Sequence, residues 1–298
     1  MSRRGWALFI AMCVIWGIPY LLIKVAVSDI SPVTLVFFRT MLGALIVLPI
    51  ALGRGSVGPA LRHWRWVVLY TVAEVAMPWF LVSDAERRLS SSLTALLIAA
   101  TPFVGVVLGW LTRSDDRFDA RRWLGLVVGF VGVAVLVGLN VSARDLGAVG
   151  EIGLVAIGYA VGPLVIARKL TQAPPIGVVA MSLVLPAILY APLGLSNLPA
   201  AFPPPQVLLS IGVLGVVCTA TAFLLFFALV AEVGPVRATV ITYVNPAVAL
   251  ALGVVLLGEP LTIGAGVGFA LILAGLLLAT TRPSRTVTPP EGPLIEAR

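Results

Sequence analysis

Runs of about twenty apolar residues, separated by short stretches that collect Arg, Gly and Pro, recur from one end of the sequence to the other. A helix needs roughly 20 such residues to cross a hydrocarbon layer of about 30 Å. Candidate runs fall at 5–27, 32–52, 65–83, 89–111, 121–139, 147–167, 175–194, 207–230, 236–258 and 260–281. Composition agrees: with 60% hydrophobic and 11% charged residues, 298 residues carry too few charges to cover a water-soluble particle. The pattern predicts an all-α integral membrane protein with ten transmembrane helices. The net charge of +7 would suggest nucleic acid in a soluble protein. Here the basic residues lie between apolar runs, where the membrane accounts for them and no nucleic-acid partner is expected.

The first run follows Ser2, Arg3 and Arg4 but is too long for a signal h-region and lacks a small-x-small cleavage site, so it reads as a retained helix. Cytoplasmic loops collect Lys and Arg. With the N-terminus inside, Arg3, Arg4, Arg54, Arg62, Arg65, Arg168, Lys169 and Arg237 share the cytoplasmic side, against Lys24, Arg87, Arg88 and Arg144 opposite. Both termini are therefore expected in the cytoplasm. Residues 283–298, with Pro283, Pro289, Pro290 and Pro293, read as a disordered tail.

The chain also matches itself. Thr101-Pro102 and Gly109 recur as Asn245-Pro246 and Gly253, 144 residues on; Asp116, Gly125 and Gly132 recur as Glu259, Gly268 and Gly275, 143 residues on. The expected repeats are 1–140 and 141–282, each with five spans. An odd number makes the second copy enter the membrane in the opposite sense, giving two inverted five-helix repeats, the architecture of secondary transporters that work by alternating access.

Trp16-Gly17, Lys24, Ser31-Pro32 and Arg39, together with Gly258-Glu259-Pro260-Leu261 and Gly268, resemble the EamA-type family of the drug/metabolite transporter superfamily. The resemblance covers essentially the whole chain. It implies a bacterial inner-membrane carrier, an exporter or importer of small metabolites such as amino acids, with a central cavity lined mainly by helices 1, 3, 4, 6, 8 and 9; export is the expected direction. One departure is Arg113-Ser114-Asp115-Asp116-Arg117, where the family carries Gly-Glu. A drug or nucleotide-sugar carrier is the alternative within transport, and a non-transporting scaffold or enzyme the alternative outside it.

Two ionisable residues lie well inside a span, Arg39 and Glu74. Either costs about 2.5–3.5 kcal/mol when it faces lipid at the helix centre, so both should face protein or water. Glu74, near the middle of its span, is a candidate for binding substrate or for exchanging the protons that would drive transport; the competing reading is a fixed ion pair with Arg39 or Lys24. Arg39 reads first as a packing residue that ties helix ends or carbonyls, with direct substrate contact as the alternative, and Lys24 as one that snorkels to the headgroups. Cys13, Trp16, Tyr20 and Lys24 share a helical spacing; Trp16 and Tyr20 read either as cavity lining or as packing. Tyr159, which matches Trp16 under the 143-residue offset, stands beside Gly162-Pro163.

Tyr243 and Asn245, with Thr239 and Thr242, make the ninth run unusually polar, and Thr94 and Thr101 hold related places in the fourth. Pro102 and Pro246 leave the carbonyls of Ile98 and Thr242 without amide partners. Those polar side chains either satisfy the carbonyls or line a ligand contact. Pro19, Pro78 and Pro163 complete the expected kinks, and Trp79 beside Pro78 reads as an interface anchor. There is no Walker loop and no H-E-x-x-H zinc motif, so neither ATP-driven transport nor metalloenzyme chemistry is expected, and no metal site or cofactor. His63 sits in a basic loop. Asp115, Asp116 and Asp119 are interleaved with Arg113, Arg117, Arg121 and Arg122 and read as a self-neutralising loop.

Overall fold

The computed structural model describes residues 1–111 and 120–280, and among them there is helix and no strand. Eight helices are long and apolar enough to cross a membrane. We number them α1 (Arg3–Ala26), α2 (Pro32–Gly53), α3 (Trp64–Ala85), α4 (Ser91–Leu111), α5 (Ala120–Asn140), α6 (Leu146–Lys169), α7 (Pro175–Ser196) and α8 (Pro205–Val233). Two shorter apolar helices follow, α9 (Ile241–Leu257) and α10 (Ile263–Thr280).

The expected tenfold division of the chain therefore differs at its end. The ninth run is cut by a turn at Thr239–Val240, which separates the short helix Pro235–Ala238 from α9. Gly258 then ends α9 in a left-handed conformation, φ 65°, that a side chain would resist. The Asp115–Asp116–Asp119 loop and the tail 283–298 lie outside the described residues.

Helix starts follow capping chemistry. The hydroxyls of Ser2, Ser31 and Ser90 accept hydrogen bonds from the amides of Gly5, Thr34 and Leu93, satisfying donors that no earlier turn can reach. Large apolar side chains such as Leu45, Ile188, Leu189 and Val255 point outward from the helices, as a hydrocarbon solvent requires.

Helix association rests on close backbone approach rather than on a water-driven core. The principal neighbours are α1 with α8, α2 with α7, α3 with α6, α4 with α9, and α5 with α10. Glycines set the tightest contacts. On α5 and α10, which run antiparallel, Gly125 meets Gly275 and Gly132 meets Gly268; a Cβ added at Gly125 would stand 2.5 Å from the Ala279 amide nitrogen. On α6, Gly158 lies under the Ala73 carbonyl of α3, where a Cβ would come within 2.3 Å.

The α5–α10 contact predicts an uneven response to the same substitution. Gly125→Ala and Gly132→Ala should each destabilise the protein by about 1–3 kcal/mol, because backbone cannot yield to an added methyl. Gly138→Ala, on the same helix but with nothing within 4 Å, should be neutral or slightly stabilising. Thermal unfolding of the three variants in detergent checks the contrast.

Candidate substrate site

Two helices change pitch at mid-course. α3 forms a π-helical turn at Val72–Ala76 and α8 forms another at Val216–Thr221. A π-turn holds an extra residue, which redirects the side chains it carries, and such bulges are frequent at functional sites.

The α3 bulge carries Glu74. Its carboxyl lies over Gly162 of α6, so closely that a Cβ there would fall 2.0 Å from Oε2. Oε2 is buried and has no hydrogen-bond partner. Neither Arg39 nor Lys24 forms a salt bridge with it, so the fixed ion pair considered from the sequence is not formed. The phenols of Tyr70 and Tyr159 lie within electrostatic range of this carboxyl.

The α8 bulge carries Cys218 and Thr219. Arg39, 7% exposed, reaches it from α2 and donates from Nε to Thr219 Oγ1 at 3.1 Å. Its guanidinium carbon stands 3.7 Å from the ring centroid of Trp79, a cation–π contact made away from water. Cys218, Tyr159, Tyr20 and Glu86 are its electrostatic neighbours. Trp79 is thus buried beneath a cation and does not serve as an interface anchor. Arg39 binds a hydroxyl and a ring instead of helix-end carbonyls. The α3 bulge ends at Ala76, two residues before Pro78 and three before Trp79.

At one end of the bundle the termini are cross-tied. The Lys24 ammonium does not snorkel: it donates to the carbonyls of Glu86 and Leu89, the latter at 2.8 Å, closing the end of α3. Glu259, between α9 and α10, accepts from the Ser91 and Ser92 amides at 2.7 and 2.9 Å and from the Ser92 hydroxyl. A carboxylate at a helix start meets both free amides and the positive end of the dipole. Burial alone would push the Glu259 carboxyl up, but the bonds from Ser92 and Ser91 outweigh it and hold the group below the usual carboxylate range. Beneath Lys24, Glu86 is fully buried and neither carboxyl oxygen has a hydrogen-bond partner.

Glu86 escaped the sequence reading, because Asp84, Arg87 and Arg88 around it suggest a solvated loop. Its only signal is spacing: Val82, Glu86 and Leu89 share one face, and all three are buried. Thr219 gave none. The α8 bulge does lie 144 residues after the α3 bulge, at the repeat offset already visible between Thr101-Pro102 and Asn245-Pro246.

The other sequence candidates are spread more widely. α1 is broken by a turn at Trp16–Gly17 and restarts at Pro19, so the expected single face does not persist. Trp16 packs on Phe223 and Phe226 of α8. Tyr20 lies past the break, within electrostatic range of Glu86 and Arg39. Thr101 Oγ1 donates to the Ile98 carbonyl at 2.7 Å, supplying the partner that Pro102 removes. With its amide oriented to place nitrogen against acceptors, Asn245 donates to the carbonyls of Ile241 at 2.9 Å and Cys13 at 3.1 Å. Tyr243 is half-buried against the main apolar cluster. α6 runs through Pro163 and α9 through Pro246 without interruption. Cys13 and Cys218 are buried free thiols, and no group of three His, Cys, Asp or Glu among the described residues could hold a metal.

Long apolar helices that bury Arg39, Glu86 and the Oε2 atom of Glu74 among them define the class: this is a multi-pass membrane protein. The chain belongs to the EamA-like transporter family, whose sequence profile matches residues 3–138 and again residues 151–281. It is similar to the uncharacterized inner membrane transporter YedA of Escherichia coli (strain K12), 27% identical over 280 residues that cover 92% of this chain and 89% of that one. It is also similar to a probable amino-acid metabolite efflux pump of Salmonella typhimurium (strain LT2), 24% identical over 300 residues, covering 93% of this chain and 95% of that one. A solved crystal structure superposes with a TM-score of 0.67 at 20% identity, over 94% of this chain and 98% of that one, a likeness in fold.

The cross-tie at Glu259 carries a pH signature. A carboxyl held low in the folded state contributes stability above its unfolded value and loses that contribution as pH falls through the folded one. Glu259→Gln should therefore lower stability at neutral pH by about 1 kcal/mol, the scale of a lost helix cap. The gap between variant and wild type should close below the ordinary carboxylate range. Melting curves at neutral and acid pH measure both.

Proposed function

We propose that the protein is a secondary transporter that crosses the membrane ten times with both termini in the cytoplasm. Residues 1–140 and 141–282 act as two inverted five-helix repeats that rock about a site between the π-turns of α3 and α8, moving a small metabolite such as an amino acid outward.

The observation that carries this reading is the glycine contact of α5 and α10. Gly125 corresponds to Gly268 and Gly132 to Gly275 in the sequence repeat, while in space Gly125 meets Gly275 and Gly132 meets Gly268. Exchanging the halves converts each contact into the other, as a two-fold axis between antiparallel helices requires. Helix neighbours obey the same exchange. The pair α1–α8 maps onto α6–α3, and α2–α7, α4–α9 and α5–α10 map onto themselves. The two π-turns are counterparts in the same sense.

Alternating access follows from that symmetry, since a site on the axis can be exposed first by one half and then by the other. The end tied by Lys24 and Glu259 faces outward in the proposed topology. The counterpart acid, Asp116, lies outside the described residues. Glu74, in a bulge and without a fixed partner, is the residue assigned to substrate or proton binding. The efflux of amino-acid metabolites is the role named for the Salmonella relative, and it supplies the substrate class and direction proposed here.

Uptake of labelled amino acids into proteoliposomes, with and without an imposed pH gradient, tests the reading. Wild type should transport in response to the gradient, and Glu74→Gln should lose most of that response. Full gradient-driven transport by the variant would remove Glu74 from the mechanism, and folded wild-type protein that carries no amino acid would remove the substrate class.

A further inference from the structure

Arg39 is buried, yet the protein supplies it with little. Of its five N–H donors, only Nε has a hydrogen-bond partner, Thr219; the two terminal nitrogens donate to none of the described residues. Among the described residues no carboxylate lies within ion-pair distance. Glu86 is within electrostatic range, but its oxygens accept no hydrogen bond, and among the charged groups Lys24 acts on it more strongly than Arg39 does. The remaining neighbours, Tyr20, Tyr159 and Cys218, are phenols and a thiol.

A guanidinium withdrawn from water without a counter-charge is strongly unfavourable. It is nevertheless held rigidly: Trp79 fixes the plane from one face and Thr219 fixes the rotation within it. What remains free is the edge formed by the two terminal nitrogens, which matches a carboxylate bidentately. Thr219 belongs to the α8 bulge, one of the two π-turns between which the proposed site lies.

We propose that Arg39 binds the carboxylate of the transported metabolite and is the residue that selects acids over their neutral analogues. The assignment rests on the transport reading and deepens it, because it makes a carboxylate the required feature of the substrate and supplies the missing counter-charge. Arg39 is then a binding residue rather than a packing one.

The test uses full-length protein in detergent. Thermal stabilisation is scanned across L-amino acids, and the most stabilising acid is compared with its carboxamide and with the corresponding amine lacking the carboxyl. Wild type should prefer the acid by at least about tenfold, the scale of one charge-assisted contact. Arg39→Lys, which keeps the charge without the fork, should bind the acid more weakly, and Arg39→Gln should bind acid and amide alike. The proposal is overturned if the amide competes equally on wild type, if Arg39→Gln keeps the acid preference, or if no amino acid stabilises folded wild type. The wild-type comparison and the lysine variant decide the matter even where glutamine prevents folding. Counterflow of the labelled acid in proteoliposomes separates the two readings. Selective binding without counterflow supports the carboxylate site and sinks the carrier, whereas counterflow without acid selectivity sinks the site and leaves the carrier.

Discussion

Hydrocarbon offers no hydrogen bonds, so each polar group that a break in a helix releases must find its partner within the protein. The irregular places in this chain obey that constraint. Where Pro102 deprives the Ile98 carbonyl of an amide, the Thr101 hydroxyl replaces it. Where α3 ends, the Lys24 ammonium covers the carbonyls of Glu86 and Leu89. Where α4 begins, Glu259 takes the amides of Ser91 and Ser92. Two of these three contacts come from distant segments, so completing one helix terminus also fixes where another helix sits. Local satisfaction and tertiary arrangement are one problem here.

The same constraint limits how a polar site can be made inside such a bundle. A full break would release several amides and carbonyls, whereas a π-turn redirects side chains while keeping the helix hydrogen-bonded. In α3 that redirection sends Glu74 toward α6, where only glycine leaves room: Gly162 lies against the carboxyl and Gly158 beneath the Ala73 carbonyl. The Gly158–Gly162 face and the bulge opposite it are a fitted pair. In α8 the bulge presents Thr219 to Arg39, and Gly43 of α2 lies so close that a Cβ there would be 2.8 Å from the threonine methyl.

Much of this was legible before any coordinates, and the part that was not has a common cause. Apolar runs, the Gly125–Gly132 and Gly268–Gly275 pairs and the acid at Glu74 stand out because each contrasts with its own sequence neighbourhood. Glu86 does not, since it sits in the charged stretch Asp84–Arg88 and becomes buried only when α1 brings Lys24 over it. Trp79 beside a proline resembles an interface anchor until α2 lays Arg39 on its ring. Lys24 resembles a snorkelling residue until the end of α3 is placed next to it. The helices that hold Pro163 and Pro246 continue through them, while the ninth run is interrupted instead at Thr239–Val240. In each case the deciding partner lies on another helix, and periodicity along one segment carries no information about it.

Divergence between the halves completes the chemistry. Glu74 and Cys218 occupy corresponding places in the two π-turns, one a carboxyl and the other a thiol. Cys218 is followed directly by Thr219, the hydroxyl that anchors Arg39. One bulge carries an acid and the other anchors a cation. A symmetric fold can move either half with equal ease, but only an asymmetric interior can tell one end of a small molecule from the other.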